Sequence, residues 1–375
     1  MTKTVSVLSM ESGFLARNEI VNATRHAAQV GNKNRPKDGS IMNPKRYLMI
    51  FGTRPEAIKL TPVWREMRSL GMNCRAVTLG QSHDLLNDTL KELGWCPESV
   101  WHGGSPRELL WGAEIAIEQE QPDYVIVQGD TYSAWAGAMA AHFAGVKVIH
   151  VEAGIRSGNI RSPWPEEGIR RQIDSISDVL FCPSMQAYHE LMISPDTIGQ
   201  AVYLVGNTGL VDIPKLFPRS TPSTATPGIL ITLHRRELEP LEAKAVTDAA
   251  YRIHLPVQIV QHPNKKIVGT IVPISRNEML RAVAESKLVI TDSGGLQEEC
   301  EYLGKRCLVA RHASDRGFSP KIRSFDVDVI EEDIYNVLAA TPRRDGFDHA
   351  NSAKRIAKIL YDRDSDLSQE DRSRA

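Results

Sequence analysis

Apolar residues in this chain come mostly as short continuous runs separated by polar and glycine-rich turns. RYLMIF (46–51), bounded by Gly52, is such a run, and its length and lack of alternation predict a strand buried on both faces. A helical pattern over 55–70 follows, then a strand over 74–79. YVIVQGD (124–130) predicts another strand, the small-residue run 133–143 a helix, and VKVIHVE (146–152) a further strand. The segment opening at SPWPEE and running to about 181 reads as a helix that closes this half. A second set begins at ILITL (229–233) and continues with strands at 257–260, 287–291 and 307–310. The last helical pattern, ANSAKRIAKILYDR, ends near Asp364, with a charged tail beyond it. Strand and helix alternate in both sets, which predicts an α/β fold of two Rossmann-like, doubly wound domains facing a cleft.

Punctuation along the chain sets the expected boundaries. Residues 1–45 form a polar leader without sustained periodicity, read as disordered. The N-terminal domain is expected over 46–216. FPRSTPSTATPG (217–228) is a linker rich in Pro, Ser and Thr. The second domain spans 229–350, and 351–375 supplies a C-terminal helix and tail.

Composition removes several classes of function. The 375 residues carry 45 Lys and Arg against 46 Asp and Glu, a net charge of −1, so nothing suggests an electrostatic grip on nucleic acid or on anionic lipid. No apolar run approaches the length of a membrane span, and the N-terminus lacks the apolar stretch of a signal peptide. The five cysteines show no CxxC spacing, so reduced core residues in a cytoplasmic protein are expected. No His and Cys grouping has metal-ligand spacing, and no metal is expected.

Candidate chemistry gathers at the predicted strand ends. GTRPEAIKL (52–60) follows the first strand and opens a helix, where Arg54 and Lys59 can point cations toward the carboxyl edge of the sheet; an ordinary strand–helix turn explains it equally well. In QGDT, Asp130 ends a strand, a place where Asp or Thr131 often caps the next helix. HVEAG places Glu152 just past the end of a central strand, a costly position unless the carboxylate is functional or paired, with Arg156 as one possible partner. Glu166 and Glu167 follow two prolines on a stiffened loop. A carboxylate at a strand end and a second on such a loop can converge on one small ligand, as acid–base chemistry requires.

In the second half, His234 follows the first strand in LHRREL, at a ligand-competent sheet edge. TDSGGLQEE (291–299) carries the stronger signal. Ser293, Gly294 and Gly295 leave backbone N–H groups open at a helix start, a cradle for a diphosphate, and Glu299 one turn on can accept from the hydroxyls of a ribose. The pattern is neither a P-loop nor the dinucleotide fingerprint, so no ATP or NAD cofactor is expected.

Taken in order, FGTRPEAIKLTPV, QGDT, HVEAGIRSG, SPWPEEGIRR, VGNT, LHRRE and TDSGGLQEE closely resemble the non-hydrolysing UDP-N-acetylglucosamine 2-epimerases, over roughly 47–361. The resemblance implies two Rossmann-like domains of the GT-B kind, a UDP-sugar substrate and a homodimer. It implies that Arg54 and Lys59 contact the substrate and its diphosphate. It makes Asp130, Glu152 and Glu166 the acid–base carboxylates around the sugar, and sets His234 against the diphosphate to assist departure of UDP. Ser293, Gly294, Gly295 and Glu299 would hold phosphate and ribose, with Arg316 near the phosphates.

The chain also departs from that family. GQSH (80–83) replaces the usual GQH, Ile169 stands where Asn precedes Arg, and no aromatic residue appears near Met279. Gly317 and Phe318 stand where Pro–Glu is usual. Part of this region serves a regulatory UDP-sugar site in the family, so activation by substrate is expected to be weak or absent. Three rival readings share the motifs: a hydrolysing relative that releases N-acetylmannosamine and UDP, a GT-B glycosyltransferase, and a non-catalytic UDP-sugar-binding protein.

Overall fold

The computed structural model describes residues 44–80, 83–216, 228–234, 238–260, 275–312, 319–342 and 346–374. The leader before residue 44 and most of the 217–228 stretch therefore lie outside the described residues. The chain forms two compact units. The first takes the chain up to Gly154, then Glu166–Thr208, and then everything from Asn351 onward; the second takes Ile155–Pro165 and Gly209–Ala350.

Seven strands make the sheet of the first unit: β1 (Arg46–Phe51), β2 (Asn73–Thr78), β3 (Ser99–Val100), β4 (Tyr124–Gln128), β5 (Lys147–Val151), β6 (Val179–Cys182) and β7 (Ala201–Leu204). Their order is β3-β2-β1-β4-β5-β6-β7, every pair parallel. The winding direction reverses between β1 and β4, and in open parallel sheets ligands bind outside the carboxyl ends of the strands at such a reversal. Helices α1 (Arg54–Ser69), α2 (His83–Leu93), α3 (Pro106–Glu120), α4 (Tyr132–Phe143), α5 (Glu166–Ile176) and α6 (Met185–Met192) connect the strands. Helix α4 buries Ala134, Ala136, Ala138, Ala140 and Ala141, side chains small enough to let it lie close on Ile50 and Val127 of the sheet. That close approach brings the loop at the end of β4 down onto the start of α1.

The second unit holds four parallel strands, β8 (Ile229–Thr232), β9 (Val257–Val260), β10 (Leu288–Thr291) and β11 (Arg306–Val309), in the order β11-β10-β8-β9. Its reversal lies between β8 and β10. Alternate strand residues enter two cores. Ile229, Ile231, Leu288, Ile290 and Leu308 face one side with Val246, Ala249, Ile330 and Ile334. Leu230, Val260, Val289 and Val309 face the other with Val283, Leu296 and Cys300. Short helix α7 (Ile213–Leu216), then α8 (Pro240–Arg252), α9 (Arg276–Glu285), α10 (Gly294–Leu303) and α11 (Val327–Ala339) surround this sheet. The α/β class with doubly wound parallel sheets, read from the sequence, is the class observed.

Two local expectations are corrected. The helix after SPWPEE stops at Ile176, and VLFC forms β6 instead of extending it. Asp178 supplies the break: its carboxylate accepts from the N–H of Val148 at 2.8 Å, and its own N–H donates to the Val148 carbonyl at 2.8 Å. A short apolar run cannot be assigned to strand or helix by period alone. At the other end, α12 (Ser352–Arg374) continues past Asp364, because no Gly or Pro interrupts DSDLSQEDRSR. This helix belongs to the first unit. Tyr47 donates to Asp364 at 2.8 Å and Arg363 to the Tyr203 hydroxyl at 3.1 Å, fixing it to β1 and β7.

Candidate active site

The carboxyl ends of β1, β4 and β5 carry the candidate carboxylates of the first unit. Strand β5 ends at Val151, and the next residue, Glu152, takes a left-handed backbone with φ of +71°. A side chain other than glycine in that region costs about 1–3 kcal/mol and persists only where its surroundings enforce it. Here the N–H groups of Glu152 and Ala153 both donate to the Phe181 carbonyl at 3.0 Å. Gly154 follows with φ of +83°, and a Cβ there would meet the Ala187 carbonyl oxygen at 2.3 Å, so only glycine fits. The tight turn throws the Glu152 carboxylate across the strand end. Lys59 of α1 donates to it, as does Gln128 Nε2 at 2.5 Å. The Lys59 and Glu152 side chains are 12% and 4% exposed, so each charge depends on the other in a site with little water.

Asp130 stands past the end of β4. Thr131 caps α4 by accepting from the Ala134 N–H at 3.0 Å, which leaves Asp130 for another partner. That partner is Arg170 of α5, whose guanidinium donates to the Asp130 carboxylate. Arg170 also lies 3.6 Å from Glu167, and Arg171 donates to Glu167 at 2.9 Å. Glu166 is the first residue of α5, half-buried and one helical turn before Arg170, on the same side of the helix. Lys59 and Glu152 are thus brought together directly, and Asp130 is bonded to the helix that opens with Glu166. Arg54 opens α1 at the end of β1, half-buried.

Three buried polar groups beneath these side chains escaped the sequence reading. Glu56 is fully buried and accepts from the N–H of Gly52 at 3.1 Å and of Thr53 at 2.8 Å, and from the hydroxyls of Thr53, Thr131 and Ser133. Burial pushes its carboxyl above the usual carboxylate range, and the Thr53 hydroxyl works against that push. Glu56 ties the end of β1 to the end of β4. His150 and Asp174 form the other buried pair, 2.7 Å apart. The signal for α5 was available in EEGIRRQID: Glu167, Arg170 and Asp174 recur at helical spacing on the side that also carries Ile169 and Ile173. Ile169, a departure from the resembled family, is a core side chain packed with Ile173.

In the second unit the same logic holds at the ends of β8 and β10. His234 Nδ1 lies 3.0 Å from Asp292, whose other oxygen accepts the His234 backbone N–H at 2.7 Å. Arg311 donates to the Asp292 carbonyl at 2.7 Å. Ser293 caps α10 by accepting from Leu296, and Gly294 and Gly295 form its first turn, with no atom nearer than 4.0 Å to a Cβ placed at Gly295. A helix start of this kind favours an anion. Glu299 lies 3.6 Å from Arg276, which donates to the Gly209 carbonyl at 2.7 Å. Met279 packs against the core beside Val283. Arg316 lies outside the described residues, as do Gln81, Ser82, Arg235, Arg236, Gly317 and Phe318. Among the described residues no group of three or more His, Cys, Asp or Glu side chains could hold a metal ion, and no helix is long and apolar enough to cross a membrane.

Comparison with known proteins adds to this geometry. The family model described as UDP-N-acetylglucosamine 2-epimerase matches residues 98–361. The chain belongs to the UDP-N-acetylglucosamine 2-epimerase family. Its relatives in that family include the UDP-N-acetylglucosamine 2-epimerase of Bacillus subtilis, 32% identical over 311 residues, covering 73% of this chain and 81% of that one. The enzyme of Campylobacter jejuni is 30% identical over 318 residues, covering 72% and 82%. Among solved structures, the family's enzyme from Methanocaldococcus jannaschii in complex with UDP-GlcNAc and UDP superposes with a TM-score of 0.73 at 25% identity. That likeness covers 84% of this chain and 99% of the archaeal one.

Proposed function

We propose that this chain interconverts UDP-N-acetylglucosamine and UDP-N-acetylmannosamine without net hydrolysis. The C2–H bond of the sugar is not activated by a carbonyl, so direct proton exchange is closed. Breaking the C1–O bond sends its electron pair to the diphosphate and leaves cationic character at C1. That charge acidifies C2–H, a carboxylate takes the proton, and a 2-acetamidoglucal and UDP result. A proton delivered to the opposite face of C2 and return of the UDP oxygen to C1 give the epimer.

One observation carries this reading: Asp130 and Glu152 stand just past the ends of β4 and β5 and Glu166 at the start of α5, with Arg170 and Lys59 bonded to the first two. An acid and a base for opposite faces of one carbon can be drawn from this set. Ser293, Gly294, Gly295 and Arg316 are assigned to the nucleotide's phosphates, Glu299 to its ribose, and Arg54 to the substrate's diphosphate. His234, oriented by Asp292, assists departure of the diphosphate. The same reading includes a homodimer in the cytoplasm, checked by light scattering and fractionation, and little activation by substrate.

The test is incubation with UDP-N-acetylglucosamine in heavy water. Deuterium at C2 of a sugar still attached to UDP is the expected result. Release of free N-acetylmannosamine assigns the hydrolysing reaction instead, and UDP binding without exchange overturns both.

A further inference from the structure

His150 is fully buried on β5, two residues before Glu152, and none of the steps above uses it. Its Nε2 lies 2.8 Å from the carbonyl oxygen of Gly129, and its Nδ1 lies 2.7 Å from Asp174 Oδ1. A carbonyl only accepts, so Nε2 is the donor to Gly129, and Nδ1 is the nitrogen that faces Asp174. The other oxygen of Asp174 accepts the N–H of Gly154 at 3.2 Å. These contacts run from the residue just before Asp130, through the ring, to α5, and on to the second residue after Glu152. One hydrogen-bonded line thus touches both turns that present the candidate carboxylates, and it passes through the helix that presents Glu166.

We propose that His150 and Asp174 are positioning residues, holding the Asp130 and Glu152 turns in fixed register with α5. The inference rests on the epimerase reading of the preceding subsection. It explains why a strand whose other buried residues are Val148, Ile149 and Val151 carries an imidazole among them. An apolar residue would satisfy packing there, yet would remove the donor to the Gly129 carbonyl and the ring contact of Asp174 Oδ1. It also explains how the left-handed backbone at Glu152 and Gly154 is retained: the Phe181 carbonyl clamps one side of the turn and Asp174 the other. Neither residue touches the substrate in this scheme. Their effect reaches the reaction through the placement of two carboxylates, where an error of about 1 Å costs on the order of 10²-fold in rate.

The test compares wild type with His150→Phe, His150→Gln and Asp174→Asn. His150→Phe keeps the shape and removes both contacts; His150→Gln can still donate to the Gly129 carbonyl. Each is checked for fold by circular dichroism, then assayed for kcat, KM, UDP affinity and amide hydrogen exchange of the peptides that contain 129–131 and 153–154. The expected result for His150→Phe is a kcat lower by about 10²-fold with UDP affinity unchanged, partial recovery in His150→Gln, and faster exchange of both peptides together. A folded His150→Phe or Asp174→Asn variant with wild-type kcat overturns the proposal, as does unchanged exchange in both peptides. If His150→Phe does not fold, His150→Gln and Asp174→Asn decide by the same two readouts. A wild type that exchanges no deuterium into the sugar sinks the epimerase reading alone, because amide exchange needs no substrate and still decides the positioning role.

Discussion

Asp292 grips His234 twice, through the backbone N–H at 2.7 Å and through the ring nitrogen Nδ1 at 3.0 Å. The aspartate is 1% exposed and the imidazole 30%, so the carboxylate is the fixed member and the ring is the one a ligand can reach. A carboxylate 3.0 Å from Nδ1 favours a hydrogen on that nitrogen and leaves Nε2 to exchange protons with a ligand. Asp292→Asn keeps the size and the backbone contact but presents the ring with a neutral group that can turn its N–H₂ inward. The expected outcome is a kcat lower by about 10²-fold or more, in a protein that melts as the wild type does. Steady-state kinetics beside a thermal melt checks it; unchanged kcat removes Asp292 from the chemistry.

The acid–base assignment predicts a different split. Asp130→Asn, Glu152→Gln and Glu166→Gln should each lower turnover by about 10²–10⁴-fold. UDP should still bind each variant, since the nucleotide is assigned to the turn at Ser293. Calorimetric titration with UDP, run beside the deuterium exchange assay, separates the two effects. Near-normal turnover in all three refutes the assignment.

The architecture was legible in the sequence for a physical reason. Strands buried on both faces leave continuous apolar runs, and polar residues at their ends, Asp130, Glu152 and His234, mark the carboxyl edge. The strand β6 was not legible, because VLFC reads equally as the end of a buried helix until Asp178 is seen bonded to β5. Nor were the supports legible. His150 and Glu56 look like any polar residue on a strand or in a first helical turn, and only the fold brings Asp174 and Thr131 to them from chain positions 24 and 75 residues away. Arg170 is an intermediate case. Its helical spacing from Glu167 and Ile173 was readable, while its partner Asp130, 40 residues back, was not.

Glu56 predicts a cost in stability that need not appear in turnover first. Glu56→Ala removes the acceptor of two backbone N–H groups and three hydroxyls at the ends of β1 and β4. One buried donor left unmet costs about 1–3 kcal/mol, so a loss of at least that size is expected in chemical denaturation. Glu56→Gln keeps one carbonyl oxygen and should fall between Ala and wild type. Equal stability of all three would mean that solvent replaces the carboxylate at no cost, contrary to its complete burial.

Asp364 gives a pH dependence whose sign follows from its surroundings. Burial raises its carboxyl above the ordinary value, more than the hydrogen bond from Tyr47 and the nearby charge of Lys45 lower it. The folded chain therefore binds that proton more tightly than the unfolded chain does. The stabilising contribution is fully present below the ordinary aspartate value and is lost as pH rises through the raised one. Asp364→Asn removes this titration while its amide oxygen can still accept from Tyr47. Relative to wild type, the variant should be more stable at neutral pH, and its advantage should shrink as the medium is acidified through the carboxylate range. Melting temperatures of the two proteins measured side by side across that range check the sign. An advantage that grows on acidification would mean that Tyr47 and Lys45 outweigh burial, and that the ionised carboxylate is what fastens α12 to β1.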